Sequence, residues 1–225
     1  TISRAVAAGE THLFSTALTA GELFEVRADE LGADLALGLY GPDGTRLAGM
    51  DGPLGGQGAE ILSWIVEATG EYRLEARVVA ASAGASLIVS AAAAQPATAA
   101  AARRIAVQSL FGRAGERLER GDASAKVAAL ALFEGALGAA RAAGERWLEA
   151  RSLLAVGWLE SATGRSGAAL GHLEESACLW QELGEARFAA RALDWAGYAT
   201  QALGRHREGA GFHRRAAALW RSAGA

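Results

Sequence analysis

The residues best suited to nucleophilic catalysis are a cysteine and a histidine in the second half of the chain. Cys178 is the single cysteine among 225 residues, and His172 precedes it by six positions. A cysteine nucleophile needs a base within hydrogen-bonding distance. At about 100° per residue, six positions separate the two side chains by about 240° on a helix, so they do not share a face. Because the surrounding letters ACLW are apolar, we expect Cys178 to be a buried structural thiol.

Two groups of residues have side chains that could bind a metal ion. His206 and His213 are seven positions apart and could share a helix face, but no third ligand accompanies them, so we expect no metal there. Asp29, Glu30 and Asp34 lie in the segment ADELGAD, which we place in a loop. Their spacing is not that of a regular calcium loop. A solvated acidic loop is therefore the preferred interpretation, with calcium binding as the alternative.

No segment has the pattern of a nucleotide-binding loop. GPLGGQG (52–58) is rich in glycine but lacks the lysine and hydroxyl residue that contact phosphate and Mg²⁺, so it indicates a flexible hairpin connection. We expect no cofactor. Four tryptophans stand at apolar-periodic positions and are expected in the core: Trp64, Trp147, Trp180 and Trp220.

Composition limits the classes of partner. Residues 1–95 carry five basic and twelve acidic side chains, and residues 96–225 carry seventeen and thirteen. Neither part has the basic stripe of a nucleic-acid-binding protein. No apolar run approaches the roughly 18 residues of a membrane span. A single cysteine permits no internal disulfide, so the compartment stays open, cytoplasmic or exported.

The first 95 residues alternate short apolar runs with turn residues, which predicts an antiparallel β-sandwich. The clearest run is EYRLEARVV, where Tyr72, Leu74, Ala76 and Val78 fall on one face and charged residues on the other. The expected strands are THLFSTAL (11–18), ELFEVRA (22–28), ADLALGLY (33–40), AEILSWIV (59–66), EYRLEARVV (71–79) and ASLIVSA (85–91).

After the linker QPAT (95–98) the sequence predicts only helices, separated by turns at Gly121, Gly144, Gly164, Gly184 and Gly204. The last four glycines recur every twenty residues, and residues 144–184 align with 184–224. This forty-residue period indicates repeated helix pairs that share a continuous core in a solenoid. Gly157 and Gly197 recur inside helices, where glycine costs about 1 kcal/mol against alanine. We expect close approach of neighbouring helices to compensate.

The helical part resembles tetratricopeptide repeats (TPR), with a period longer than the usual one. The positions that carry the resemblance are Gly157, Gly164, Ala169, Leu173 and Ser176; Gly197, Gly204, Gly209, His213 and Ala216; and Ala129, Phe133 and Ala136. The resemblance implies a concave groove that binds a partner segment. The groove positions that it implies are Arg151, Leu154, Trp158 and Ser161 in one repeat and Arg191, Asp194, Tyr198 and Gln201 in the next. The alternative is that these arginines only solvate the surface and that the aromatic residues pack on the next helix.

The first part resembles the bacterial pre-peptidase C-terminal (PPC-like) β-sandwich in three segments: GETHLFSTALTAGELFEV, ADLALGLYGPDGTRLA and EATGEYRLEARV. The order of sandwich and long-period repeats is similar to the N-terminal portion of bacterial proteins that end in a caspase-like CHAT domain. The resemblance implies that such a domain would follow this chain, since no motif of that domain occurs within it.

We therefore expect a scaffold without catalytic activity that binds a protein or peptide partner through the helical part and positions a downstream effector domain. The alternatives are a carbohydrate- or surface-binding sandwich with the helices as a spacer, and a piece of a larger protease. The final segment ALWRSAGA (218–225) matches CLWQELGE (178–185), which a further helix follows. We accordingly expect a fragment cut at a repeat boundary, whose uncapped last helix could pair with a second copy. The chain starts at Thr1 without methionine, which predicts removal of a signal peptide or of vector-derived residues.

Overall fold

The computed structural model describes residues 1–51, 57–93, 95–118 and 120–223. The chain forms two compact units, Thr1–Glu116 and Arg117–Ala225. Strands give way to helices near residue 95, where the hydrophobic period changes, but the first helix is counted with the strands. The division between units falls in the last turn of that helix, between Glu116 and Arg117. The predicted glycine-rich connection at 52–58 lies mainly outside the described residues.

The described residues of unit 1 form an antiparallel sheet of seven strands. The strands are β1 (Ile2–Ala5), β2 (Thr11–Leu18), β3 (Glu22–Tyr40), β4 (Arg46–Asp51), β5 (Gln57–Ile65), β6 (Gly70–Ala91) and β7 (Gln95–Pro96). The bounds of β2 match the prediction, and an antiparallel sheet before the helices is confirmed. β1, β4 and β7 were not predicted.

Each of the two longest strands joins two strands that the sequence predicted separately. β3 continues through Gly32, which has a φ of +79° and lies at a shift in register. The Ser82 hydroxyl of β6 donates to the Gly32 carbonyl at 3.1 Å, and a Cβ on Gly32 would lie 2.6 Å from that hydroxyl oxygen. The first half of β3 pairs with β5 and the second half of β6, and its second half pairs with β4 and the first half of β6. The expected loop at 29–34 is therefore a bend within a strand.

The alternation predicted for β6 is confirmed. Tyr72, Leu74, Ala76 and Val78 are at most 2% exposed, and the charged side chains between them are exposed or half-buried. Side chains at every second position of β3 complete the same core, among them Val26, Ala28, Leu35, Leu37 and Leu39. The period-2 pattern thus determined which face of these strands is buried.

Helix α1 (Ala99–Leu118), of which residues 99–116 belong to unit 1, packs on β4 and β5. The Thr98 hydroxyl caps its first turn by accepting from the Ala101 N–H at 3.1 Å. In its middle, the buried Gln108 amide accepts from the Ser63 N–H at 3.0 Å and donates to the Ile61 carbonyl at 3.1 Å. The Gln108 side chain therefore provides the hydrogen-bond partners for two main-chain groups on the outer edge of β5.

Unit 2 contains α2 (Ala123–Ala143), α3 (Arg146–Ala162), α4 (Ser166–Glu182), α5 (Ala186–Ala202) and α6 (His206–Ser222). Each helix packs on the next along the chain, and α3 also contacts α5. The five predicted turn glycines all have positive φ between 69° and 82°, the left-handed region that glycine occupies without strain. The helices from α3 to α6 each have 17 residues, in agreement with the twenty-residue spacing of the turns.

The close approach predicted at the two recurring glycines is confirmed. A Cβ on Gly157 of α3 would lie 2.6 Å from Cγ of Leu173 on α4. A Cβ on Gly197 of α5 would lie 2.7 Å from the ring of His213 on α6. Glycine lets each helix approach its successor, which offsets its poor helix propensity.

Among the described residues, α2 is the helix that is long and apolar enough to cross a membrane by length and composition, and 39% of its apolar window is buried in unit 2. Its buried residues include Ala129, Phe133 and Ala136. This is weak evidence for a span, because a core helix meets the same criteria.

Candidate functional site

The eight groove positions implied by the TPR resemblance lie on α3 and α5, but they differ widely in exposure. Arg151 is 2% exposed and Leu154 is fully buried. The Arg151 guanidinium lies 5.2 Å from the centroid of the Trp147 ring, a cation–π contact inside the unit. Arg151 and Leu154 therefore offer no side chain to a partner. Of the two arginines expected in the groove, Arg191 is the more exposed, and it is half-buried.

Asp194 connects α5 to α6. Its Oδ2 accepts from the Trp220 indole N–H at 3.0 Å, and its Oδ1 lies 3.1 Å from Nδ1 of His213. The carboxylate is thus used within unit 2, although about a third of the side chain is exposed. We assign Asp194 to helix packing.

The remaining aromatic groove positions belong to a continuous surface feature, which we call the aromatic strip: Trp158, Trp195 and Tyr198. The rings of Trp158 and Trp195 are 6.4 Å apart at 69°, and those of Trp195 and Tyr198 are 5.5 Å apart at 56°. Tyr198 is 55% exposed, and both tryptophans are half-buried. At its other edge Tyr198 contacts the His213 ring at 4.9 Å. The strip therefore runs from α3 across α5 to the border of α6.

Two polar groove residues accompany the aromatic strip. Ser161 follows Trp158 by one turn on α3, and Gln201 follows Tyr198 by one turn on α5. Both side chains are half-buried. The structure thus leaves Trp158, Ser161, Arg191, Tyr198 and Gln201 accessible out of the eight predicted residues.

Trp195 was missed by the sequence analysis. The repeat alignment places it opposite Ala155, which is fully buried in α3. The sequence did contain a signal for Trp195, because the other repeat has alanine at this position and this repeat has a large aromatic residue. Such a residue cannot fit the same packed position, so it must either displace a neighbour or reach the surface.

The cysteine and histidine considered for catalysis serve other purposes. Cys178 is exposed, so the expectation of a buried thiol was wrong; its Sγ lies 3.6 Å from a Glu182 carboxylate oxygen. Nδ1 of His172 lies 2.8 Å from the Glu160 carboxylate, which is 1% exposed and also receives Arg165 at 2.9 Å. This cluster joins α3 to α4.

The acidic residues Asp29, Glu30 and Asp34, which were expected in a solvated loop with calcium binding as the alternative, lie in β3. Asp29 pairs with Arg27 at 2.7 Å, and the buried Glu30 accepts from the Leu35 N–H at 2.9 Å across the bend. Across the described parts of the chain, no group of three histidine, cysteine or acidic residues is placed to hold a metal ion. Asp29 and Glu30 pair with β5 and β6 before the bend at Gly32, and Asp34 pairs with β6 after it, so the acidic residues lie in paired strand on both sides of the bend.

Unit 1 contains a cavity of about 350 Å³ between β4, β5 and α1. Arg46 and Glu116 line it and pair with each other at 3.1 Å. Met50, Leu62 and Ile105 give it an apolar side. Ser63 also lines the cavity, and its hydroxyl donates to the Glu25 carboxylate at 3.2 Å.

Two ionisable groups of unit 2 whose pKa values are shifted have structural roles. The side-chain hydrogen bond from Ser124 and the Ala125 N–H lower the pKa of Asp122, which caps α2. Hydrogen bonds to Glu149 and Glu175 raise the pKa of Arg141, which joins α2 to α3 and α4. Both lie outside the aromatic strip.

No protein-family model matches the chain, and no curated protein matches it significantly. The inference about function therefore rests on the molecule's own geometry.

Proposed function

We propose that the protein is a binding module without catalytic activity, and that unit 2 binds an extended segment of a partner protein along the aromatic strip. The observation that carries the proposal is the strip itself: Tyr198 on α5 is 55% exposed, and Trp195 on the same helix and Trp158 on α3 lie half-buried beside it. Tryptophan and tyrosine are the residues most enriched where binding energy concentrates in interfaces.

The geometry of the rings suits an extended peptide. Interplanar angles of 69° and 56° leave the rings as ridges with clefts between them, in place of one flat stack. Apolar or proline side chains of an extended partner can fill such clefts, as in other aromatic-lined peptide grooves. Ser161 and Gln201 provide hydrogen-bonding groups beside the rings for the partner's main chain.

The finer architecture of unit 2 within this proposal is a TPR-like solenoid. The small–large–small positions of the second helix in each pair support it, since Ala129, Phe133 and Ala136 are fully buried. The corresponding Ala169, Leu173 and Ser176 are fully buried as well. In such an array the first helices of successive pairs line one surface, which agrees with the contact between α3 and α5.

The finer architecture of unit 1 is a PPC-like sandwich. The bend of β3 at Gly32 and the shift in its register with β6 divide the sheet into two halves, as two layers require. In the parent protein that the resemblance implies, both units would position a caspase-like effector domain.

The test uses peptides selected from a random phage-displayed library on the immobilised full chain. Binding of a fluorescein-labelled selected peptide is then measured by fluorescence polarisation against Trp158→Ala, Tyr198→Ala and the control Val127→Ala. Val127 is 67% exposed on α2 and lies outside the strip, so it matches the loss of an exposed apolar side chain. We expect each strip variant to weaken binding about tenfold or more, as at interface hot spots, and the control to leave it unchanged.

Circular dichroism establishes that the variants are folded before they are compared. The proposal is wrong if the selection yields no binding peptide, or if selected peptides bind both strip variants as tightly as the control.

A further inference from the structure

The outer strands of the sheet in unit 1 differ in how far other elements cover them. Gln108 of α1 satisfies main-chain groups of β5, and β4 lies so close to α1 that a Cβ on Gly112 would be 2.7 Å from the Gly49 carbonyl oxygen. β1 has only four residues. β2 has eight, and in the described chain it pairs with β6 alone. Among the described residues, β2 is therefore a long strand with one side that no other strand covers.

The hydrogen bonds at the start of β2 determine which of its main-chain groups face outwards. Val78 of β6 directs both groups at the β2 side, with its N–H donating to Glu10 and its carbonyl accepting from Gly9, each at 2.9 Å. Main-chain groups alternate sides along a strand. Ala76, opposite His12, therefore also points at β2, and the same alternation continues along the pair.

It follows that His12, Phe14, Thr16 and Leu18 direct their main-chain groups at β6. The alternate residues direct theirs away from the sheet: Thr11, Leu13, Ser15 and Ala17. All four alternate residues are exposed, and Leu13 is 55% exposed despite its apolar side chain.

Natural proteins protect long edge strands with lysine, proline, a bulge or a covering segment. The β2 sequence THLFSTAL contains no lysine and no proline, and its register with β6 has no shift. The outer edge of β5, in contrast, is covered by Gln108 of α1. Gly9 and Glu10 both face Val78 just before β2, but from Thr11 to Leu18 the edge is uncharged and regular. Such an edge is a template for another strand.

We propose that two copies of this chain pair through β2 in antiparallel orientation, with Phe14 opposite Phe14 of the second copy. Outward-facing residues must meet outward-facing residues across an antiparallel pair. A twofold axis at Phe14 meets this condition and places Leu13 opposite Ser15 and Thr11 opposite Ala17. About eight main-chain hydrogen bonds can then form.

A second copy suits this edge because the edge is complementary to itself in that register. No charged residue within β2 meets another across the pair, and the two Phe14 rings form an aromatic cross-strand pair. The Arg4 guanidinium lies 5.5 Å from the Phe14 centroid on β2's own side, where it supports the position of the ring. The surface lies on unit 1 and is independent of the aromatic strip.

The first experiment measures the mass of the full chain by size-exclusion chromatography with light scattering over a wide concentration range. We expect a dimer, twice the 23.1 kDa of the monomer. Ser15→Pro removes an outward N–H and blocks strand addition without touching the pairing with β6, so we expect a monomer. The matched control Ser15→Ala keeps the N–H and is expected to remain dimeric. Circular dichroism compares the folding of the two variants.

The second experiment tests the register by disulfide formation in a Cys178→Ser background, which removes the exposed thiol. Opposed residues in a pair without mutual hydrogen bonds have Cβ atoms about 4.5–5.5 Å apart. Phe14→Cys should therefore give a linked dimer under mild oxidation, whereas Leu13→Cys, which faces Ser15, should link much less.

A monomeric wild type at every concentration would overturn the proposal. So would a dimer that persists in Ser15→Pro, because it would assign association to another surface such as α6. Equal linking of the two cysteine variants, or none in Phe14→Cys, would overturn the register.

Discussion

Replacing Gly157 by alanine tests the helix packing on which the aromatic strip depends. Alanine normally stabilises a helix by about 1 kcal/mol relative to glycine. At Gly157 the new Cβ would lie 2.6 Å from Cγ of Leu173 and 3.2 Å from the Ala169 carbonyl oxygen. Carbon atoms in contact are normally about 3.5–4.0 Å apart. Leu173 is fully buried, so α3 and α4 must separate by up to about 1 Å to relieve the contact.

Overpacking of this kind costs about 1–3 kcal/mol. The control is Gly171→Ala on α4, because Gly171 is exposed and has no atom within 4 Å of its Cβ position. Both variants gain the same helix propensity, so the difference in their unfolding free energies isolates the overpacking. We expect Gly157→Ala to be about 1–3 kcal/mol less stable than Gly171→Ala.

Urea denaturation followed by tryptophan fluorescence measures this difference, since five of the six tryptophans lie in unit 2. The double variant Gly157→Ala with Leu173→Ala removes the atoms that clash. When Leu173 is already replaced by alanine, we expect Gly157→Ala to lower the unfolding free energy by at least about 1 kcal/mol less than it does with Leu173 present. Equal stability of Gly157→Ala and Gly171→Ala would refute the close packing of α3 against α4.

Two further predictions concern α1 and α2. Gln108→Leu should lower the unfolding free energy of unit 1 by about 1–3 kcal/mol, because it leaves two main-chain groups of β5 without partners; Ser109→Ala, at an exposed position, should have little effect, and equal effects would contradict the role of Gln108. Asp122 caps α2, and the hydrogen bond from Ser124 lowers its folded-state pKa. Its contribution to stability is therefore fully present above the unfolded-state pKa and is lost as pH falls through the folded-state pKa. Asp122→Asn keeps a capping oxygen without the titration, so its helicity by circular dichroism should fall less between neutral and acidic pH than that of the wild type; parallel loss in both would count against the cap.

Much of the fold could be predicted because its determinants are local. The turn glycines between helices, the buried face of β6 and the bounds of β2 follow from patterns only a few residues long. The prediction failed where the chain continued through a local turn signal. Gly32 resembled a loop, yet β3 extends through it, since strands on both sides supply hydrogen bonds.

The candidate site was predicted less completely than the fold. Sequence spacing placed Arg151 and Tyr198 on equivalent faces of α3 and α5, but Arg151 is 2% exposed and Tyr198 is 55% exposed. The difference arises from neighbours that the repeat pattern does not encode, such as Trp147 beside Arg151. Cys178 shows the same limit, because an apolar neighbourhood in sequence did not place its own side chain inside.

The sequence by itself determined the order of strands and helices and the twenty-residue spacing of the glycine turns. These depend on backbone conformation and on the period of apolar residues. Only the tertiary structure decided that Trp195 joins Trp158 and Tyr198 in one strip and that β2 is left with an uncovered edge. Both depend on contacts between elements that are far apart in the sequence, because these contacts decide which side chains and strand edges stay exposed.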